Sequence, residues 1–293
     1  MEGKKKKFPW LSFRRYTQLI AAVLYNCNIP GFVKGEIYKG DTKGVCVPGL
    51  NCYSCPGAVG ACPLGSLQSG LLSAKYGSIP YYVLGTLLLF GLLLGRLICG
   101  FVCPFGLLQE LIYKIPTKKI KKSKVTRILS KLKYVILVAL VIVVPLVQGL
   151  PGFCKYVCPA GTLEGGIPLV ILNEQLRENL GFLFSWKVFV LAATLLVCLF
   201  CYRAFCRFIC PLGAIYSLFN PISFFGIKVD QSKCTNCGAC VKACKMDVKK
   251  VCDGECIQCG ECRKCCPHHA ISYGVRFWKK KPKAKNDQNE GKE

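Results

Sequence analysis

Four stretches of the chain are almost free of charge, which is the pattern of membrane-spanning helices. They are Tyr16–Val33, Tyr76–Gly95, Tyr134–Phe153 and Val188–Tyr202. A helix needs about 20 mostly apolar residues to cross the hydrocarbon core of a bilayer. The last stretch is short, but Lys187 and Arg203 at its ends can reach the headgroups. The pattern predicts an α-helical polytopic membrane protein with about four spans.

Three other segments have few charges but a different composition. They are Gly44–Ala74, Tyr156–Asn173 and Phe208–Ile227. The first is dense in glycine, proline, serine and cysteine, and irregular backbone survives at membrane depth only where protein covers it. We therefore expect the first two segments to be re-entrant or to lie on the surface, and the third to be interfacial.

Basic residues mark one side of the predicted membrane. Lysines 4–7, Arg14 and Arg15 precede the first span, and nine lysines and arginines lie between Lys114 and Lys133. The positive-inside rule therefore places both termini and the C-terminal domain in the cytoplasm, at the cell membrane. The net charge of +25 on a chain that is 52% hydrophobic is explained by this topology and a basic tail after Trp278. The sequence therefore predicts membrane lipid as a partner and no nucleic acid.

A duplicated motif carries most of the predicted chemistry. The motif occurs after the second and the fourth span, as Arg96-x2-Cys99-x3-Cys103-Pro104-x-Gly106 and Arg203-x2-Cys206-x3-Cys210-Pro211-x-Gly213. On the other side, Cys62-Pro-Leu-Gly matches Cys158-Pro-Ala-Gly. Two spans per repeat return the chain to its starting side, so repeats of about 1–125 and 126–225 would be parallel, related by an axis along the membrane normal.

The repeat predicts two cysteine sites, which we call the inner site and the outer site. The inner site, on the cytoplasmic side, consists of Cys99, Cys103, Cys206 and Cys210. The outer site pairs the equivalent residues Cys62 and Cys158 with Cys55 and Cys154, and Cys46 and Cys52 are alternates. Four thiolates suit zinc or an iron–sulfur cluster. The alternatives are disulfides at the outer site and inert buried cysteines at the inner one.

The C-terminal region, residues 226–275, contains two cysteine runs typical of bacterial ferredoxins. They are Cys234-x2-Cys237-x2-Cys240-x3-Cys244 and Cys256-x2-Cys259-x2-Cys262-x3-Cys266-Pro267. The fourth cysteine of each run ligates the other cluster in such proteins. The first ferredoxin set is therefore Cys234, Cys237, Cys240 and Cys266, and the second is Cys256, Cys259, Cys262 and Cys244. Either of the extra cysteines, Cys252 and Cys265, could replace a ligand. Residues 276–293 read as a basic, polar, disordered tail.

Together these motifs resemble the NapH/NosR-type membrane polyferredoxins, in which paired Cys-x3-Cys-Pro motifs precede a C-terminal ferredoxin module. The resemblance covers most of the chain, from Arg14 to about Tyr273. It implies two [4Fe–4S] clusters in a small α+β ferredoxin domain. It also implies membrane-bound electron transfer, between a quinone pool or a cytoplasmic donor and an extracytoplasmic reductase.

Three functions are compatible with the sequence. The first is an electron conduit, in which one or two further clusters in the membrane domain continue from the ferredoxin clusters; Arg96 and Arg203 are candidates for tuning the inner site. The second is a cupric reductase, because soft thiolate pairs favour Cu(I). The third is a redox sensor or assembly subunit. No catalytic His/Asp pair is present, and the two histidines, His268 and His269, both follow the cysteine runs, which excludes a bis-histidine membrane haem.

Overall fold

The computed structural model describes residues 13–74, 77, 79–120 and 122–276. Lysines 4–7, the predicted start of the second span at Tyr76 and the basic tail from residue 277 lie outside the described residues. All 23 cysteines lie within them, as free thiols.

The first half of the described chain is helical on both sides of an irregular, cysteine-rich segment. Its helices are α1 (Phe13–Tyr25), α2 (Ile29–Lys34), α3 (Pro63–Ala74), α4 (Tyr81–Leu94), α5 (Leu97–Phe101) and α6 (Pro104–Ile112). A 3₁₀ turn covers Asp41–Gly44. Between this turn and α3, the chain has only an isolated bridge between Cys46 and Ala61.

The second half contains two wide π-helical turns within longer helices. The turns are Leu137–Val143 and Thr162–Gly166. The α-helices are α7 (Lys124–Leu129), α8 (Leu132–Ile136), α9 (Val144–Gln148), α10 (Gly152–Tyr156), α11 (Pro159–Gly161), α12 (Ile167–Leu172), α13 (Glu174–Glu178), α14 (Phe182–Phe200), α15 (Ala204–Phe208) and α16 (Pro211–Phe219). A proline, Pro145 or Pro168, follows each wide turn by two residues. Because proline has no N–H, it removes one α-helical hydrogen bond, and the wide turn absorbs the disruption.

Two helical stretches are long and apolar enough to cross a membrane. They are Lys124–Gln148, which runs from α7 through α9, and α14. The apolar helices of the predicted second span and of the 156–173 segment are shorter, at Tyr81–Leu94 and Pro159–Leu172. The predicted first span divides into α1 and α2. The count of four spans therefore remains a prediction.

The long helices expose their apolar side chains instead of burying them. Val135, Val147, Phe189 and Leu196 are all more than half exposed. Only 22% of the most apolar part of Lys124–Gln148, and 17% of that of α14, is buried in the protein. A core helix of a soluble protein would bury this surface, so these faces suit contact with lipid.

The ferredoxin domain is a small α+β unit that follows α16. Its elements are β1 (Phe225–Val229), α17 (Ala239–Ala243), α18 (Glu261–Lys264) and β2 (Ile271–Val275). The two strands are antiparallel, and their register pairs Phe225 with Val275 and Val229 with Ile271. The sheet joins the two ends of the domain and leaves the cysteine runs between them.

Buried ion pairs attach the ferredoxin domain to the helical body. Glu255 accepts from Arg96 at 3.0 Å and from Lys133 at 2.6 Å, and the side chains of both cations are fully buried. A second carboxylate, Asp247, lies 2.6 Å from Arg207. Burial raises the pKa of Asp247, but a hydrogen bond from Thr126 and the charge of Arg207 outweigh it and hold that pKa below its usual range. The domain is therefore held at a fixed place on the body.

Glu255→Gln should destabilise this attachment, because two buried cations lose the charge that compensates them. Breaking a buried pair costs about 3 kcal/mol or more, and thermal unfolding in detergent measures the loss. Glu261→Gln is the matched control, since Glu261 forms an exposed pair with Lys264 and such pairs contribute little. Equal effects of the two substitutions would show that the buried pairs do not hold the domain.

Candidate functional site

The four cysteines predicted for the inner site line one cavity. They are Cys99, Cys103, Cys206 and Cys210. The two halves present them in the same way, because the first cysteine of each pair lies on a short helix, α5 or α15, and the second is the residue before the next helix, α6 or α16. Proline occupies the first position of that next helix, where its missing N–H is not needed. Apolar residues including Leu50 and Ile98 complete the wall of the cavity.

Hydrogen bonds to sulfur connect the two halves at the inner site. The side-chain amide of Gln109 donates to Cys206 Sγ at 3.1 Å, and its oxygen accepts from the backbone N–H of Phe205 at 3.1 Å. The backbone N–H of Gly213 donates to Cys210 Sγ at 3.3 Å. Donors of this kind stabilise negative charge on thiolate ligands and tune their potential.

Two fully buried arginines cross over between the pairs. Arg96 donates to the carbonyl oxygen of Cys206 at 3.1 Å, and Arg203 donates to that of Cys99. Each arginine precedes one Cys-x3-Cys pair and contacts the backbone of the other. The structure thus places both arginines beside the inner site, where the duplicated motif put them. Their positive charge would offset the negative charge of deprotonated cysteines.

A buried carboxylate holds Arg203 in position. Glu110, on α6, lies 2.8 Å from Arg203 and 2.7 Å from Arg14, and the hydroxyl of Tyr202 donates to it at 2.7 Å. Burial opposes ionisation of Glu110, but Arg203 and Arg14 overcome it and lower the pKa of the carboxyl to about 2. The carboxylate is therefore charged at neutral pH and fixes the guanidinium behind the inner site.

The second ferredoxin set also lines a single cavity. Its members are Cys256, Cys259, Cys262 and Cys244. The crosswise arrangement, in which the last cysteine of the first run joins three from the second, matches the sequence prediction. The backbone is left-handed at Gln258 and Gly260, and the N–H of Gln258 donates to Cys256 Sγ at 3.4 Å.

The first ferredoxin set lies nearer the surface. Its loop repeats the left-handed backbone of the second run, at Asn236 and Gly238. Cys237 is exposed, and Cys240 interacts electrostatically with Cys265 and Cys234. Cys265 thus lies beside this set, next to the predicted ligand Cys266.

The second ferredoxin set adjoins the inner site through two backbone segments. A Cβ atom added to Gly100 would collide with the carbonyl oxygen of Ile257, and these residues directly follow Cys99 and Cys256 in the chain. Arg96 also bridges the two, because it donates to Gly254 O at 3.1 Å as well as to Cys206 O. The second ferredoxin set and the inner site are therefore separated by backbone segments of the two domains that contact each other.

The structure brings together three of the cysteines predicted for the outer site and one of the alternates. Cys158 interacts electrostatically with Cys154 and Cys62, but its other cysteine partner is Cys52, an alternate in the prediction. The Cys55 thiol instead accepts from the backbone amides of Gly57 and Ala58. The side chain of Ser66 forms a hydrogen bond with the Cys46 thiol. The alternate Cys52 thus lies beside Cys158, and ligation by Cys55 stays a prediction.

The two glutamines, Gln68 and Gln109, were not among the site residues predicted from the sequence. Gln109 belongs to a Cys-Pro-x-Gly-x2-Gln pattern that starts at Cys103 and recurs at Cys62, and this repetition was the available signal. Of the remaining cysteines before the ferredoxin domain, Cys198 and Cys201 are buried, whereas Cys27 is exposed.

The residues of the inner site and of the second ferredoxin set fit iron–sulfur clusters. Each set offers four cysteine sulfurs around one cavity, with N–H donors directed at sulfur. Thiolates ligate iron in both common cluster types, and N–H donors to sulfur are a usual feature of such sites.

Comparison with known families identifies this chemistry. A family described as a 4Fe-4S binding domain matches residues 80–123, 134–167 and 182–229, and these matches include the two Cys-x3-Cys-Pro motifs of the inner site. A second family with the same description matches residues 227–250, which contain the first ferredoxin run. No solved structure matches the chain.

Relatives of the chain include proteins named as ferredoxin-type. The uncharacterized protein MJ0750 of Methanocaldococcus jannaschii is 32% identical over 195 residues, which are 64% of this chain and 74% of that protein. The methylamine utilization ferredoxin-type protein MauN of Methylorubrum extorquens is 28% identical over 83% of this chain and 77% of its own length. The regulatory protein NosR of Pseudomonas aeruginosa is 30% identical over 53% of this chain and 21% of its own length. The resemblance found in the sequence is confirmed, and the chain belongs to the NapH/NosR-type family of ferredoxin-like 4Fe–4S binding proteins.

Proposed function

We propose that this protein is a membrane-bound relay that carries electrons between its ferredoxin domain and the opposite side of the membrane. The observation that carries the proposal is the contact of Ile257 with Gly100, which seats the second ferredoxin set directly against the inner site. A hydrocarbon core of about 30 Å is too thick for one electron transfer between its faces, so carriers must be stacked through it.

The cofactors of the relay are iron–sulfur clusters held by the two ferredoxin sets and the inner site. When bound, such clusters supply one-electron carriers whose potentials depend on hydrogen bonds and nearby charge. The protein's own contribution is to shield the carriers from water and to fix the surrounding charge. Both arginines and Gln109 are fully buried at the inner site, and the cysteines there have at most 7% of their surface exposed.

The arrangement also suggests where redox partners bind. Cys237 is exposed on the first ferredoxin set, so a donor or acceptor protein can approach this set from the cytoplasm. We assign residues 1–225 to the membrane body and 226–275 to the ferredoxin domain, with both termini cytoplasmic and lipid around the apolar helices. On the opposite side, the partner is an extracytoplasmic acceptor or the quinone pool.

A cupric reductase is the alternative function for the inner site, because soft thiolate pairs favour Cu(I). The metal content of the purified protein distinguishes the two functions.

Cys103→Ser should abolish electron flow across the membrane and leave the ferredoxin clusters in place. The holoprotein is reconstituted into liposomes that contain ferricyanide, and impermeant dithionite is added outside. We expect the rate of ferricyanide reduction to fall to that of protein-free liposomes, because the remaining carriers are then too far apart. Cys27→Ser, at an exposed cysteine, is the control and should keep the full rate.

An unchanged rate in Cys103→Ser would contradict the relay. Iron and copper are measured in the same samples. Copper in place of iron at the inner site, lost on this substitution, would instead support a metal-ion reductase.

Gly100→Ala should slow electron flow without loss of iron. The added methyl group must displace the carbonyl of Ile257, which separates the second ferredoxin set from the inner site. Gly85→Ala is the matched control, because a Cβ atom there meets nothing within 4 Å. The liposome assay and iron content are measured for both. If both variants conduct equally fast, the Ile257 contact is not on the path.

A further inference from the structure

We infer that the outer site is a second four-thiolate iron–sulfur site built on the plan of the inner one, and that its fourth ligand is Cys52. The other three ligands are Cys62, Cys154 and Cys158. The inference extends the proposed relay and rests on it for its purpose, but the evidence for the site is its own geometry.

The first line of evidence is a glutamine in the same role at both sites. Gln68 follows Cys62 by six residues, as Gln109 follows Cys103. Its side-chain amide donates to Cys154 Sγ at 3.1 Å, and its oxygen accepts from the backbone N–H of Phe153 at 3.0 Å. At the inner site, Gln109 makes the same two contacts with Cys206 and with the residue before it. Gln68, like Gln109, is fully buried.

The second line of evidence is the backbone around the second cysteine pair. Cys154-x3-Cys158-Pro-x-Gly161 repeats the spacing of Cys206-x3-Cys210-Pro-x-Gly213. Cys158 directly precedes α11, and the N–H of Gly161 donates to its Sγ at 3.3 Å, the distance found for Gly213 and Cys210. Both contacts with sulfur are thus reproduced at the outer site.

The sequence has no cysteine four residues before Cys62, and we infer that Cys52 supplies the missing ligand. Ala58 stands four residues before Cys62, where the inner site has Cys99 before Cys103. A Cβ atom added to Gly161 would lie 3.6 Å from both Cys52 Sγ and Cys158 Sγ. Cys52 therefore supplies the fourth thiol from a loop instead of a helix.

A partly buried glutamate fixes the Cys52 loop. Glu164 accepts from the backbone N–H of Cys52 at 2.7 Å, and it follows Cys158 on the adjoining π-helical turn. A Cβ atom added to Gly165 would lie 3.2 Å from Cys52 Sγ, so the turn and the loop are tightly packed. The thiol is thus held in place without the helical frame that positions the other three.

The same loop brings the outer site close to the inner one. The backbone amide of Leu50 reaches the Cys103 thiol of the inner site, and that of Asn51 reaches the Cys62 thiol of the outer site. Neighbouring amides of one loop thus contact both sites, and Cys52 follows them directly. A cluster at the outer site would lie next in line after the inner site.

Iron and sulfide content of the full-length, anaerobically purified protein tests the inference, with Cys55→Ser as the matched control. Cys52→Ser should lose about four irons and four sulfides per chain, together with one component of the EPR spectrum after dithionite reduction. Cys55→Ser lies three residues away in the same loop and should keep them all. Size-exclusion chromatography shows whether each variant folds.

A second pair of variants keeps every cysteine and serves if Cys52→Ser does not fold. Gln68→Leu should shift the reduction potential of one EPR component, and Gln109→Leu that of a different one. Iron retained in Cys52→Ser, equal loss in Cys55→Ser, or outer cysteines recovered as disulfides after denaturation would each overturn the inference. The inference would also be overturned if Gln68→Leu and Gln109→Leu shifted the reduction potential of the same EPR component.

These results are independent of the relay. If iron is lost as expected and the unmodified protein still fails to reduce trapped ferricyanide, the site stands and the proposed function falls.

Discussion

The fold depends on hydrogen bonds that two buried glutamines make between the halves of the chain. Gln109 comes from the first half and contacts Cys206 and Phe205 in the second, and Gln68 does the same with Cys154 and Phe153. Each glutamine satisfies a buried backbone N–H that would otherwise cost free energy, and at the same time directs its own N–H at sulfur. The same hydrogen bonds thus hold the two halves together and supply N–H donors to the cysteine sites.

Charge distinguishes the two membrane sites. The inner site has Arg96 and Arg203 against it, and these arginines are in turn held by Glu255 and Glu110. At the outer site, Pro151 stands three residues before Cys154, where Arg203 precedes Cys206. Positive charge favours added electrons, so these arginines would help a cluster at the inner site to hold an electron. Glu255 comes from the ferredoxin domain, and docking of that domain therefore completes the charge balance of the inner site.

The sequence predicted those features that repetition or fixed spacing determines. The Cys-x3-Cys-Pro pairs at Cys99 and Cys206 predicted four thiols on one cavity because duplicated motifs related by an axis must face each other. The crosswise second ferredoxin set followed from the spacing of the runs. Helix-rich structure with a C-terminal ferredoxin domain was likewise predictable, and membrane association followed from the apolar stretches.

Features set by tertiary contacts could not be predicted in this way. The loop around Cys52 and Cys55 has no helical or strand period, and the position of Cys52 depends on a hydrogen bond from its backbone N–H to Glu164, 112 residues further on. Of the second predicted span, Tyr76–Gly95, the described residues contain the 14-residue helix α4, so apolar length alone does not establish how the chain crosses there. The role of Gln109 became visible only when its partner in the other half was known.

The central claim is that cysteines of the membrane body hold iron–sulfur clusters in addition to those of the ferredoxin domain. The most direct measurement is the iron and acid-labile sulfide content of the unmodified, anaerobically purified protein, with spin quantitation by EPR. Two ferredoxin clusters account for about eight irons per chain. We expect clearly more irons than this, with more than two reducible centres. Eight irons and two centres in fully loaded protein would contradict it.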